Sequence, residues 1–297
     1  MDGRGASTSV IIAVVIAAVV VVGAGVYFIV RQPGGPSGGG QPGGGENQKG
    51  PYATFLAIHM EPGSSYPSYQ ENYWSSVVGL VGLADNYGAK LTLEFAAQWG
   101  EYISQDTTKL NLVKQWRQHG HEIALHHHTP KHQGAWDGYT DNTQLIGGKV
   151  KNVEYRGSLE NMMAWIQLLA APDNVITACI GPLEEYENVD TEWPLGIKYQ
   201  TFGVIEGSVS KPVDNLIRGS LVKSVLHQYF YYGQGTVSLE QVKNEFNGAK
   251  SDEIVGVVMH QFDYADDPST MRAWLEFVKG KGYQIRTVRD ILSSYPV

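Results

Sequence analysis

Short, nearly continuous apolar runs alternate along most of this chain with longer stretches in which apolar residues recur every three to four positions. The first kind reads as strands buried on both faces, the second as helices packed on one side. Ala53 to Glu61 is the first such strand, followed by a helix from about Tyr69 to Tyr87 and a strand from Lys90 to Ala97. Thr107 to His119 is the next helix, and it feeds a strand that opens at Gly120. Leu159 to Ala171 reads as a helix, Asn174 to Ile180 and Tyr199 to Ile205 as strands, Leu239 to Asn247 as a helix, and Glu253 to Met259 as a β-branched buried strand. Pro268 to Lys279 is helical, Tyr283 to Val288 is a last strand, and Arg289 to Ser294 is a short closing helix. The middle of the chain is the least regular part. Such alternation predicts an α/β fold with parallel strands inside and helices outside. The span from Pro51 to Val297 suits one parallel (β/α) barrel, a fold that runs to roughly 250 residues as a single domain.

A different pattern precedes this domain. Residues 1–9 form a short polar tail, and Val10 to Val30 is an uninterrupted apolar run. Roughly 20 residues rising about 1.5 Å each cross a hydrocarbon core of about 30 Å, so residues 10–30 predict a single transmembrane helix. A cleaved secretory peptide has an apolar core of only about 7 to 15 residues, which favours a retained anchor. Residues 31–50 are built almost entirely of glycine and proline with a few polar residues, a composition that behaves as a flexible tether. The expected organisation is therefore tail, anchor, linker and a globular domain over 51–297. A tether of this kind predicts a single-pass protein of the cell membrane, with the domain held outside the cell.

A net charge of −8 with no long basic run excludes nucleic acid as the expected partner. The one cysteine, Cys179, cannot form an internal disulfide and is expected to be a buried core thiol.

Five of the nine histidines fall between His121 and His132. Imidazole is the commonest neutral nitrogen ligand, so this cluster at the end of a buried strand predicts a metal site. In a parallel barrel the chemistry sits at the carboxyl ends of the strands. Three strand ends carry candidates. Period-two alternation puts His59 and Glu61 on one face of the first strand, and His126 and His128 together on the third with His127 opposite. The late strand ends in His260. His121 and Glu122 lie at the wrong end of their strand and read as structural. Glu94 could face the barrel interior. Asp137 and Asp263 could orient a histidine, although loop acids are usually solvated. Trp74, Trp99, Trp136 and Tyr139 suit sugar rings and a core equally well.

Gly120-His121-Glu122-Ile123 leading into His128-Thr129-Pro130-Lys131-His132 resembles the second motif of the polysaccharide deacetylases, a G-H-E-[IV] strand followed by H-[ST]-x-x-H. Val255 to Met259 with His260, then a helix and Gly280 to Val288, resembles that family's closing segment. The resemblance covers roughly Thr54 to Leu292. It implies a distorted barrel of that family's type and metal-dependent hydrolysis of N-acetyl or similar acyl groups on a polysaccharide or glycan. It also implies a divalent metal cofactor, zinc or another transition metal, held by Glu61, His128 and His132, with His126 as an additional ligand. His260 is then the acid for the leaving amine.

Departures from the pattern bear on mechanism. The family's T-F-D-D-G motif is replaced by Ile58-His59-Met60-Glu61-Pro62, so His59 is either the base or a further ligand. The arginine-containing third motif is absent, with Cys179-Ile180-Gly181-Pro182 its nearest remnant. One alternative is a glycoside hydrolase using Glu61 with Glu94 or Asp263, its carboxylates about 5 to 9.5 Å apart. The other is a non-catalytic surface protein that binds carbohydrate or metal.

Overall fold

The computed structural model describes residues 50–132, 135–147, 154–181, 192–203, 207–230 and 237–296. The apolar run from Val10 to Val30 and the linker up to Lys49 lie outside the described residues. Among those described, no helix is long and apolar enough to cross a membrane.

Strand and helix alternate as β1 (Ala53–Met60), α1 (Ser68–Tyr87), β2 (Thr92–Phe95), α2 (Ala97–Ser104), α3 (Thr107–Gln118), β3 (Glu122–His128), α4 (Leu159–Ala170) and β4 (Thr177–Gly181). They continue as β5 (Tyr199–Gly203), β6 (Val209–Ser210), β7 (Val213–Ile217), β8 (Ser220–Tyr229), α5 (Leu239–Gly248), β9 (Ile254–His260), α6 (Gln261–Asp266), α7 (Pro268–Gly280) and α8 (Val288–Ser294). Strands β9, β1, β2, β3, β4, β5 and β8 pair in parallel in that order. Parallel pairing of Gln228 with Val257 and Tyr229 with Val258 joins β8 back to β9, so the sheet closes into a seven-stranded parallel barrel. β6 and β7 are short antiparallel additions on β9 and β8.

The continuous apolar strands follow from burial on both faces. Leu56, Ile58 and Met60 of β1 pack outward with Val255, Val257 and Met259 against the helices. Ala53, Phe55 and Ala57 alternate inward and fill the lower barrel with Ile254, Val258 and Val225, closed off by Val288, Ile291 and Leu292 of α8. Each such aliphatic or aromatic side chain contributes about 1.5–3 kcal/mol on burial. Caps end the helices where the sequence changes. Asp106 accepts from the amides of Thr108 and Lys109 at the start of α3, and Gly88, at φ 72°, ends α1.

Four boundaries differ from the sequence reading. Tyr283 to Val288 is not a strand. Ile285 makes a single bridge to Thr54, because β1 already has β2 and β9 as neighbours, and Thr287 is committed to capping α8. The second strand stops at Phe95, since Ala96 becomes the N-cap of α2, a helix the apolar pattern did not reveal. The irregular middle holds β6, β7 and β8. α6 is a further turn of helix directly after His260.

Candidate metal centre at the mouth of the barrel

Inward alternation puts His59 on β1, Glu94 on β2, His126 and His128 on β3, Cys179 on β4, Thr201 on β5, His227 on β8 and His260 on β9. Register sets them in two staggered rows, Glu94 pairing with Ala124, two residues below His126. His59 lies opposite Glu94 and His260, and His126 lies opposite Cys179, which lies opposite Thr201. The lower barrel is apolar and its carboxyl end is a polar tier.

Glu61 stands just past the end of β1 at the centre of this tier. Its Oε1 is 3.1 Å from His126 Nε2 and 3.3 Å from His260 Nε2, and its Oε2 is 3.4 Å from His128 Nε2. Zinc binds such atoms at about 2.0–2.2 Å, which for a tetrahedral ion sets neighbouring donors roughly 3.3 Å apart. The Glu61, His126 and His128 donors match that spacing and form one of the groups whose ligand atoms all lie within 4.8 Å of one another. The carboxylate is held from behind, its backbone N–H donating to Gln261 Oε1 at 3.1 Å and its carbonyl accepting from Trp99 Nε1 at 2.8 Å. Burial would raise the Glu61 pKa, but the imidazoles of His128 and His126 outweigh it and hold the group well below the usual carboxylate range. Burial, with His126 and His132 nearby, holds His128 down at about 3 against the pull of Glu61, so it presents a neutral nitrogen. His132 stacks on His128 with ring centroids 4.3 Å apart and lines the same pocket, but among the described residues it belongs to none of the close donor groups.

His260 faces the cluster from the opposite side. Asp263 Oδ2 accepts from its backbone N–H at 3.1 Å and lies 2.9 Å from its Nδ1, so one buried carboxylate sets both backbone and ring. Burial would lower the His260 pKa, yet the bonds to Asp263 and Glu61 push it up to about 9. Above these groups opens a pocket of about 920 Å³ with Tyr66, Tyr69, Trp136, Tyr229 and Phe262 on its walls. Of the four aromatic residues singled out in the sequence, Trp136 alone lines it. Trp74 packs on Trp116, and Trp99 and Tyr139 are core.

His59 lies at the pocket floor but turns beneath it, its Nε2 2.7 Å from Glu94 Oε2 and off the line a hydrogen bond needs. Burial and the neighbouring imidazoles of His126, His227 and His260 hold it well below the ordinary histidine value. Glu94 is fully buried, accepts from Thr201 Oγ1 at 2.7 Å, and is raised by burial to about 8. Cys179 is buried, as expected, but within this tier rather than in an apolar layer.

The remaining singled-out residues are structural. His127 points outward, 2.7 Å from Asp137 Oδ2 and 3.7 Å from Glu192 Oε2. Asp137 is fully buried rather than solvated and also accepts from the backbone N–H groups of His128 and Tyr139. His121 accepts from the Leu91 amide at 3.0 Å and meets Asp85. Glu122 is bound by Thr92, Thr177 and the Arg289 amide at the opposite end of the barrel. Sequence reasoning missed His227 and Gln261. His227 stands near the end of β8 after Val225-Leu226, the same signal as His260, but the mixed first half of that strand hid it.

No protein-family model and no curated protein matches this sequence. Solved structures of carbohydrate-active proteins share its fold at low identity. A Mycobacterium smegmatis protein assigned provisionally as a polysaccharide deacetylase is 12% identical, covers 89% of this chain and 94% of its own, and superposes with a TM-score of 0.53. A 4-α-glucanotransferase from Thermococcus litoralis is 10% identical over 82% of this chain, with a TM-score of 0.54, the match covering 40% of that enzyme. The catalytic domain of a peptidoglycan N-acetylglucosamine deacetylase from Eubacterium rectale is 14% identical, covers 80% of this chain and 88% of its own, and has a TM-score of 0.43.

Proposed function

We propose that this chain is a metal-dependent hydrolase that removes N-acetyl or similar acyl groups from a polysaccharide or glycan. The observation that carries the reading is the Glu61, His126 and His128 donor set, with spacings of 3.1 and 3.4 Å, at the base of an open pocket and faced by the His260–Asp263 pair. A divalent ion of the zinc class fits these donors and would supply polarisation of an amide carbonyl and acidification of the attacking water. His260, protonated at neutral pH and aimed at the cluster, is the group positioned to give a proton to the departing amine nitrogen. His59 reaches both levels, its Nε2 2.7 Å from Glu94 Oε2 and one ring nitrogen within 4.8 Å of donor atoms of Glu61 and His260, which suits the role of base or further ligand. The aromatic walls suit the faces of sugar rings, and the pocket falls within the range of about 300–1,000 Å³ usual for ligand sites. The apolar run at residues 10–30 would hold the domain at the cell membrane, with the linker carrying it outward to a polymer substrate.

The glycosidase reading loses its carboxylate pair. Neither Glu94 nor Asp263 lines the pocket, the first being sealed beside His59 and the second bound to His260.

The test is acetate release from N-acetylated chitooligosaccharides and acetylated peptidoglycan fragments by the full-length protein in detergent. Acetate should appear, stop on chelation, return with Zn²⁺ and be lost in His128→Ala. Metal-loaded protein that releases no acetate from any acetylated glycan would sink the reading. Shortened sugar chains without acetate would point to glycosidase chemistry, and binding without turnover to a carbohydrate-binding protein.

A further inference from the structure

Beneath the pocket floor the barrel holds polar atoms that nothing satisfies. Both ring nitrogens of His59 and of His227, Nδ1 of His126 and Oε2 of Glu94 have no hydrogen-bond partner among the described residues, and all are sealed from solvent. Buried polar atoms are nearly always paired in folded proteins, so a concentration of orphans in one closed space requires an explanation. A bound ion would take up one nitrogen of His59, Nδ1 of His126 and Oε2 of Glu94 at once.

We propose that His59, Glu94, His126 and Cys179 form a second, closed site for a transition-metal ion of the zinc class, inside the barrel and beneath the pocket centre. One ligand atom from each lies within 4.8 Å of the others. Closing them to bonds of about 2.0–2.3 Å takes movements on the order of 1 Å. Two imidazoles, a thiolate and a carboxylate suit a borderline-soft ion and do not suit magnesium or calcium, which take oxygen donors. Four protein donors leave no open position, so this ion would hold the strands together rather than meet substrate. Thr201 already fixes the other oxygen of Glu94, the kind of support that metal-binding carboxylates carry. His126 serves both levels, its Nε2 facing Glu61 at 3.1 Å and its unpartnered Nδ1 on the other side of the ring. The site stands independently of the reaction proposed for the pocket.

Cys179 is the chain's one cysteine, which makes the test specific. Full-length protein is stripped of metal, reloaded with Co²⁺ and examined for the near-ultraviolet charge-transfer band of a cobalt–thiolate bond, and zinc stoichiometry is measured in parallel. Wild type should show the band and bind two equivalents of zinc. Cys179→Ser should lose the band and one equivalent, whereas His128→Ala should keep the band. A folded, cobalt-loaded wild-type protein without the band overturns the site, as does loss of the band in His128→Ala. Should Cys179→Ser fail to fold, the wild-type spectrum and the zinc count of Glu94→Gln decide instead. Absence of acetate release would leave these readouts untouched.

Discussion

Asp263 Oδ2 stands 2.9 Å from His260 Nδ1 and also accepts the backbone N–H of the same histidine, so a single carboxylate holds both its ring and its backbone. The raised pKa of His260, about 9, keeps it protonated through neutral pH. A proton donor of this kind fails once it is deprotonated, so kcat/KM should fall as pH rises through about 9. Asp263→Asn removes one of the two carboxylates, with Glu61, that raise the value. Its alkaline limb should move to lower pH and its rate at neutral pH should drop by about 10²- to 10⁴-fold, the usual worth of such a group. A pH–rate profile that keeps the wild-type limb in Asp263→Asn refutes the pairing.

Gln261 does not itself line the pocket, yet it accepts from the Glu61 amide and donates to the hydroxyl of the wall residue Tyr69 at 2.6 Å. Groups that orient a metal ligand are typically worth about 10–100-fold in affinity. Gln261→Ala should therefore weaken zinc binding by about that factor in a chelator competition. Activity should fall at limiting zinc and recover at saturating zinc. Unchanged zinc affinity in the variant would show that the Glu61 backbone is held by other means.

His127 offers a stability prediction with a definite sign. Burial opposes its charge, but Asp137 and Glu192 outweigh this and raise it to about 9, above the roughly 6.5 of an unfolded histidine. The folded state thus binds the proton more tightly. Its contribution is complete below about pH 6.5 and is lost as pH rises through about 9, a difference on the order of 3 kcal/mol at about 1.36 kcal/mol per pH unit. Urea midpoints measured across this window should fall in wild type and fall less in His127→Gln. Parallel curves for the two proteins would contradict the assignment.

Gly256 sits on β9 at the point of barrel closure. A Cβ there would press inside van der Waals contact with the Leu226 carbonyl oxygen and the Phe55 ring. Neither the backbone nor a packed aromatic ring yields cheaply, so Gly256→Ala should cost about 1–3 kcal/mol. Denaturant unfolding reads the loss, and a neutral result would mean that β8 and β9 approach less closely than described.

The barrel class was legible because strands buried on both faces leave unbroken apolar runs between helix-period stretches, and β1, β3 and β9 fell where those runs are cleanest. β8 did not, because its first half pairs with the exposed edge strand β7 and mixes Ser220, Lys223 and Ser224 with Leu221 and Val222, so no continuous apolar run marks it. The same mixture concealed His227. Tyr283 to Val288 misled in the opposite direction, since an alternating stretch of strand length became a bridge and a cap when no lateral position remained. At the site, period-two alternation put His126 and His128 on one face and sent His127 outward, and the family resemblance brought Glu61 to them. Sequence spacing could not show that His59 turns beneath the floor, because the position of Glu94 depends on register between strands rather than on distance along the chain.

The closure of the barrel has a kinetic side. Among the described residues Gln228 and Tyr229 pair with β9 and the Phe230 amide donates to the Val258 carbonyl, a short seam, whereas β1 and β9 pair from Ala53 through His59. Local opening proceeds where the fewest bonds must break, so this seam is where the wall parts first and where amide exchange in the barrel strands begins. Tyr229 stacks on His260 beside it, with centroids 5.3 Å apart. Parting of the seam would give solvent, or an ion it carries, a lateral route to the sealed groups, beside the pocket whose floor His59 forms.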